Sequence, residues 1–203
     1  MLKSYKKHVQ ERADLNIPPL PLDADQTSQL VELLKSEHDE SDFLLNLFKE
    51  RVPAGVDQAA YVKAAFLADI SEGNASSPYI DNIEAVKILG TMLGGYNIQP
   101  LIKCLKNDEL AATAVDTLSK TLLIFDAFNE IFELSKTNKY AEQVIKNWAD
   151  ATWFTDKQDL PKKIKLTVYK VSGEINTDDL SPAPDAWSRP DIPLHALAMF
   201  KMP

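Results

Sequence analysis

Between Glu109 and Ser135 the chain carries neither glycine nor proline, and its apolar residues return at helical intervals. Leu110, Ala114, Leu118 and Leu122 come first, then Phe125, Phe128 and Phe132. Such a stretch holds no backbone breaker. It predicts either one long helix or two joined near Ser119–Thr121. The same periodicity fills most of the sequence before it. Phe43, Leu44, Leu47 and Phe48 share one helical face, and Pro53 and Gly55 stop it. Val62, Phe66 and Ile70 line another stripe, which ends at Gly73.

Start signals agree with the stripes. Asp23 or Asp25 can cap a helix through Leu30, Val31, Leu33 and Leu34, and Asp57 can cap the next but one. Ile80-Asp81-Asn82-Ile83-Glu84 has the form of a capping box, with Asp81 as cap and Glu84 reaching back to it. A further helix starts near Asn97 or Pro100, and a last one covers residues 139–154. Residues 1–16 read as a surface helix that ends before Pro18-Pro19, and the segment IPPLPLD as a linker. Eight or nine helices with short connections suit an antiparallel helical array. Their starts are irregularly spaced, and no repeat of fixed period is present.

The character changes at Pro161. In residues 164–171 Ile164, Leu166, Val168 and Val171 alternate with Lys163, Lys165, Thr167 and Lys170, the pattern of a β-strand. Gly173, a loop rich in Pro, Asp and Ser, and the start of a helix at Leu194–Lys201 follow. The expected organisation is a helical domain over 1–160 and the first part of an α/β domain over 161–203.

Charge narrows the range of partners. The net formal charge is −8. Residues 161–203 carry +1, so residues 1–160 carry −9. Nucleic-acid affinity draws on Lys and Arg neutralising phosphates, which an acidic domain does poorly. Lys3, Lys6, Lys7, His8 and Arg12 form a small basic cluster, read as a solvated helix face. A single cysteine, Cys104, excludes an internal disulfide and fits a reducing compartment. No apolar run approaches the ~20 residues of a membrane span, and the first residues lack the apolar stretch of a secretory signal. The expected location is the cytoplasm, with no membrane partner.

His8, His38, His195 and Cys104 are scattered without metal-ligand spacing, so no metal site is expected from this chain. Cys104 sits in a helical apolar pattern and reads as a small buried hydrophobe. The loop 172–193 differs. Thr177, Asp178, Asp179, Ser181 and Arg189 lie close together just beyond the expected strand. An arginine fork can grip a carboxylate, and Asp and Ser can hydrogen-bond a hydroxyl. The same residues also serve as turn chemistry, their side chains satisfying backbone N–H groups between stiff prolines.

Residues 176–199 resemble the swivel-domain signature of the aconitase B family. Their core, Thr177-Asp178-Asp179-Leu180-Ser181-Pro182-Ala183, is similar to the Thr-Asp-His-Ile-Ser motif of aconitases, with Asp179 and Leu180 in place of His and Ile. Arg51-Val52-Pro53, Leu89-Gly90-Thr91-Met92, Gly94-Gly95-Tyr96-Asn97-Ile98 and Trp148-Ala149-Asp150-Ala151 resemble the HEAT-like domain that precedes the swivel in that family.

The resemblance implies a mainly α chain: a HEAT-like array followed by the start of the swivel domain. It implies a part of a hydro-lyase of the tricarboxylic acid cycle that interconverts citrate and isocitrate through cis-aconitate, with 2-methylisocitrate as a further candidate substrate. A [4Fe–4S] cluster acts as Lewis acid in the complete enzyme. Such a cluster needs three cysteine thiolates, so this chain is expected to bind none and to be inactive alone. By the motif, Arg189 would grip a substrate carboxylate, and Asp178, Ser181 and Asp179 would belong to the substrate-binding wall. The family further implies a homodimer formed through the helical domain, and contacts with other metabolic enzymes. A stand-alone helical interaction module and an mRNA-binding regulatory fragment are the alternative readings. The loop argues against the first and the acidic charge against the second.

Overall fold

A computed structural model describes residues 1–15, 19–92, 94–125, 127–156, 161–168, 170 and 172–180. Eleven helices are formed among them: α1 (Leu2–Asp14), α2 (Ala24–Leu34), α3 (Ser41–Glu50), α4 (Gln58–Glu72), α5 (Asn82–Gly90), α6 (Ile98–Cys104), α7 (Ala111–Lys120), α8 (Ala127–Ser135), α9 (Lys139–Ala149), and the single turns α10 (Thr152–Thr155) and α11 (Thr177–Leu180).

The start signals lie where side-chain chemistry puts them. Asp23 accepts from Gln26 N at 2.7 Å, and Gln26 Oε1 accepts from Asp23 N at 3.1 Å. Together these satisfy two backbone donors of α2. Asp57 caps α4 through Ala59 N, and Gly73 ends that helix at φ +77°. Asp81 accepts from Glu84 N, but Glu84 does not complete a box. Its carboxylate takes Lys49 Nζ at 2.6 Å instead, joining α5 to α3. An interhelical charge contact has replaced the local one.

Helices α2, α4, α5, α7 and α9 pack in succession, each on the next. Helix α3 lies on α2, α6 on α4, α5 and α7, and α8 on α9 and α6. One continuous core runs through this stack, with Leu30, Leu44, Phe48, Leu67, Leu89, Leu101, Leu118 and Val144 fully buried. Burying such side chains is the main stabilising term for a stack of this kind, each contributing roughly 1.5–3 kcal/mol.

Helix α1 and the end of the linker are fixed by polar contacts. Tyr5 Oη donates to the Leu20 carbonyl at 2.9 Å, and Leu20 N donates to His8 Nε2 at 2.9 Å. Arg51 bonds the Pro19 carbonyl, and Leu22 N donates to the Arg51 carbonyl at 2.8 Å. His8 and Lys6 of the basic cluster are thus used structurally, the latter in an ion pair with Glu40.

The stretch free of glycine and proline forms two helices, α7 and α8. No breaker residue separates them; hydroxyls do. Thr117, Ser119 and Thr121 donate to the carbonyls of Ala114, Val115 and Thr117, competing with the helical ladder. Thr121 itself is extended (φ −93°, ψ 115°) and fully buried. The helix expected over 139–154 is also divided. Ala151 takes a left-handed conformation (φ +53°) between α9 and α10. Tertiary bonds hold the end of α9 in place: Trp148 Nε1 donates to the Leu118 carbonyl at 3.0 Å, and Asn147 Nδ2 to Ser119 Oγ at 2.8 Å.

The expected strand is not formed among the described residues. Residues 161–168 adopt no ladder, and Ile164, Leu166 and Val168 are exposed, Val168 to 87%. A strand requires a partner edge, and the described residues offer none. The helix expected at Leu194–Lys201 lies outside the described residues.

Helices α5 and α7 approach closely at Gly90. A Cβ placed there would lie 2.4 Å from Thr117 Cγ2 and 2.7 Å from Thr117 Cβ. Thr117 is buried, and its hydroxyl is tied to Ala114, so it cannot turn aside. Gly→Ala within a helix normally stabilises by up to ~1 kcal/mol. At Gly90 overpacking reverses the sign, and Gly90→Ala should cost about 1–2 kcal/mol. Urea denaturation checks this, and an unchanged or raised midpoint would refute it.

Candidate functional site

The loop expected to carry the site opens at Gly173, whose φ of +95° is open to glycine without strain. Asn176 then starts α11. Asn176 Oδ1 accepts from Asp179 N at 3.1 Å, and Asp179 Oδ2 accepts from Asn176 N at 2.9 Å. This reciprocal pair is a helix cap made of two short side chains. In this arrangement one oxygen of Asp179 serves the backbone, which is the turn chemistry the sequence allowed. It leaves the other oxygen able to accept from a ligand. Asp178 lies on the same turn, between Thr177 and Asp179. Ser181 and Arg189 lie outside the described residues. Of the four expected site residues, Asp178 and Asp179 lie among the described residues, as neighbours on α11.

Elsewhere the polar chemistry is structural. A cleft of about 500 Å³ is lined by Leu20, Leu22, Asp23, Pro53, Asp57 and Gln58. Each of its two carboxylates caps a helix through one oxygen, Asp23 for α2 and Asp57 for α4. Cys104 is buried, and loss of solvation pushes its thiol upward, away from the reactive thiolate. No cluster of three or more His, Cys, Asp or Glu able to hold a metal occurs among the described residues. Histidine 38 accepts from Glu40 N through Nδ1 at 3.0 Å. No helix of the described residues is long and apolar enough to cross a membrane.

Among the buried polar residues, Lys63 and Asn97 make interhelical contacts that the sequence did not disclose. Lys63 lies within the stripe of α4, is 3% exposed, and donates to the Lys49 carbonyl at the end of α3 (3.2 Å). Its ammonium also faces the Phe48 ring at 5.3 Å. Burial brings its pKa down to about 8. Asn97, fully buried, links the end of α5 to the start of α6. A lysine within an apolar stripe was the available signal for the first. The second had only its place beside a glycine pair.

Comparison with known proteins covers both parts of the chain. The family profile described as Aconitate B N-terminal domain matches residues 4–154, and that described as Aconitate hydratase 2 N-terminus matches residues 166–203. The chain belongs to the aconitase B family. It is 58% identical over 204 residues to Aconitate hydratase B of Pseudomonas aeruginosa, covering 100% of this chain and 24% of that protein. To its namesake in Escherichia coli it is 58% identical over 203 residues, covering 99% and 24%. To that of Helicobacter pylori it is 47% identical over 202 residues, covering 98% and 24%. The chain thus spans about a quarter of the length of these aconitase relatives.

Proposed function

We propose that this chain is the N-terminal portion of an aconitate hydratase, a cytoplasmic hydro-lyase that interconverts citrate and isocitrate through cis-aconitate and also accepts 2-methylisocitrate. The observation that carries this reading is the 47–58% identity, sustained over nearly the whole chain, to proteins named Aconitate hydratase B. In this reading residues 1–160 are a HEAT-like antiparallel docking array that carries a homodimer contact and contacts with other metabolic enzymes. Residues 161–203 begin the swivel domain. The exposed apolar alternation of Ile164, Leu166 and Val168 supports the second assignment, since such a segment awaits a sheet.

The cluster chemistry lies outside this chain. A [4Fe–4S] cluster held by three thiolates does not fit a sequence with one cysteine, and that cysteine is buried and held as a thiol. What this chain supplies is recognition. Arg189 grips a carboxylate of the tricarboxylate substrate through its planar fork. Asp178 and Ser181 stand beside it, and Asp179 offers the carboxylate oxygen that its helix cap leaves over. mRNA binding is the weaker reading, because residues 1–160 carry −9.

The test is conversion of citrate to isocitrate by the full-length protein with its cluster assembled. Activity is expected there, with none in the 203-residue chain. Arg189→Lys in the full-length enzyme should lower kcat/KM by about tenfold or more, since a charge-assisted bond contributes roughly 1.5–3 kcal/mol. Unchanged kinetics would remove Arg189 from the site.

A further inference from the structure

Helix α1 is held to the stack more by polar bonds than by burial. Of its 13 residues only Tyr5 is fully buried, with Leu2 and Val9 half-buried against the core. Two attachments fix it. At the first, Tyr5 Oη donates to the Leu20 carbonyl and accepts from Arg51 Nε at 3.3 Å, while Leu20 N donates to His8 Nε2 at 2.9 Å. At the second, Lys6 pairs with Glu40, and Glu40 N donates to His38 Nδ1 at 3.0 Å.

In both attachments an imidazole nitrogen is the acceptor. Imidazole accepts only while neutral, because its charged form carries N–H on both nitrogens. Protonation of His8 sets an N–H against the Leu20 N–H. It also adds a charge beside Arg51, whose guanidinium bonds Tyr5 Oη and the Pro19 carbonyl. Glu11 and Arg12 stand one turn along α1, Glu11 beside Lys7, and residues 19–22 carry no ionisable side chain. His38 is faced by Glu40 with its partner Lys6 and by Tyr79, whose hydroxyl bonds the His38 main chain, and Glu37 and Asp39 flank it. A charged His38 loses the Glu40 N–H and competes with Lys6 for the Glu40 carboxylate. The bond from Lys6 holds the Glu40 carboxyl below its ordinary range. Glu40 therefore stays ionised while the imidazoles titrate.

We propose that α1 is an acid-released strap, docked while His8 and His38 are neutral and lifted from the stack when they take up protons. The lifted form binds more protons, so docking weakens as pH falls through the imidazole range. Release ends at Leu22, which is buried and donates to the Arg51 carbonyl at 2.8 Å. Helices α2 to α9 keep their core. Lifting takes the Lys6 ammonium from the Phe43 ring, 5.0 Å away, and loosens the wall that Leu20 gives to the cleft beside α2 and α4.

Nitrogen-15 NMR of the 203-residue chain from about pH 8 to about pH 5 tests this. The ring nitrogens of His8 and His38 report protonation, the Leu20 and Glu40 amides report the two bonds, and heteronuclear NOEs of residues 3–14 report docking. The α1 NOEs should be lost with the midpoint of the ring nitrogens, while the amides of buried Ala64, Val86 and Ala114 stay unmoved. His8→Gln combined with His38→Asn supplies amide oxygens, which accept at every pH, the second as an Asx turn. In that variant α1 should keep its NOEs through the same range. Helix α1 amides that stay still while both rings titrate overturn the proposal. So does a variant that releases α1 at the parent's midpoint, since carboxylates then carry the effect. Should the variant fail to dock α1 even at about pH 8, the parent decides. A Leu20 amide that titrates with the His8 ring sustains the strap, and one that titrates apart from it overturns it.

Discussion

Lys63→Met is expected to leave the chain at least as stable as the parent near neutral pH, and to remove a pH dependence that the parent shows in the alkaline range. Lys63 is buried, with the Lys49 carbonyl as hydrogen-bond acceptor and the Phe48 face beside it. Burial lowers its pKa from 10.5 to about 8, opposed by the charge of Glu50. The folded state then binds fewer protons than the unfolded state between those two values. Stability therefore rises with pH across that window, and the buried charge is a cost below it. The difference between the two pKa values corresponds to about 3 kcal/mol. Methionine has similar length and no charge to bury, and replacing buried ionic groups by apolar ones is often neutral or stabilising. Urea denaturation of parent and variant at several pH values from about 7 to 10.5 measures the difference directly. The parent should gain on the variant by about 3 kcal/mol over that range. A difference that stays constant with pH would show that Lys63 does not titrate as a buried amine.

Such a residue marks the limit of what the sequence discloses. Asp23, Asp57, Gly73 and Asp81 lie at helix boundaries as read, because capping is chemistry within four residues of chain. The division of α7 from α8 was half legible. The position near Ser119–Thr121 could be seen, but one helix or two depended on whether hydroxyls there bonded backward, as Thr117 and Thr121 do. The left-handed Ala151 was not legible at all. Alanine is the strongest helix former, and only the bonds from Trp148 and Asn147 to α7 explain the break. Glu84 was assigned a local partner and found Lys49 from another helix. Phe125, Phe128 and Phe132 have the spacing of a core stripe, yet they face outward. Spacing identifies an apolar face but not which body covers it. The same reason governs the 164–168 segment, whose alternation is a strand pattern without a partner edge. At the candidate site the sequence allowed both ligand binding and turn chemistry for Asp179. The cap with Asn176 shows the turn chemistry in place and leaves one oxygen for the other role.

The largest loss of stability is expected at Asn97. Its side chain performs two tasks from a fully buried position. Oδ1 accepts from Gly94 N at 3.1 Å, and Nδ2 donates to the Leu89 carbonyl at 2.8 Å. Leu89 belongs to the last turn of α5, where carbonyls lack the i+4 partner, and its oxygen also accepts from Met92 N at 3.1 Å. Gly94 has φ +118°, and a Cβ there would lie 2.9 Å from the Leu123 carbonyl oxygen. The turn is therefore pressed against the chain that leaves α7, with little room for water. Asn97→Ala strands the Gly94 N–H and takes from the Leu89 carbonyl one of its two bonds, so a loss of about 3 kcal/mol is expected. Asn97→Asp separates the two tasks. It keeps the acceptor for Gly94 but turns the donor into an oxygen facing another oxygen, and it buries a charge. At neutral pH it should be worse than alanine. Acidification protonates the new carboxyl, whose O–H can then donate to the Leu89 carbonyl. The gap between the two variants should narrow or reverse as pH falls. Burial raises the pKa of such a carboxyl, so the crossing should begin above the ordinary range for aspartate. Thermal unfolding of both variants from about pH 7 down to about pH 4 supplies the comparison. If aspartate and alanine cost the same at every pH, the Asn97 amide is not holding the end of α5, and the Gly94 bond alone sets this turn.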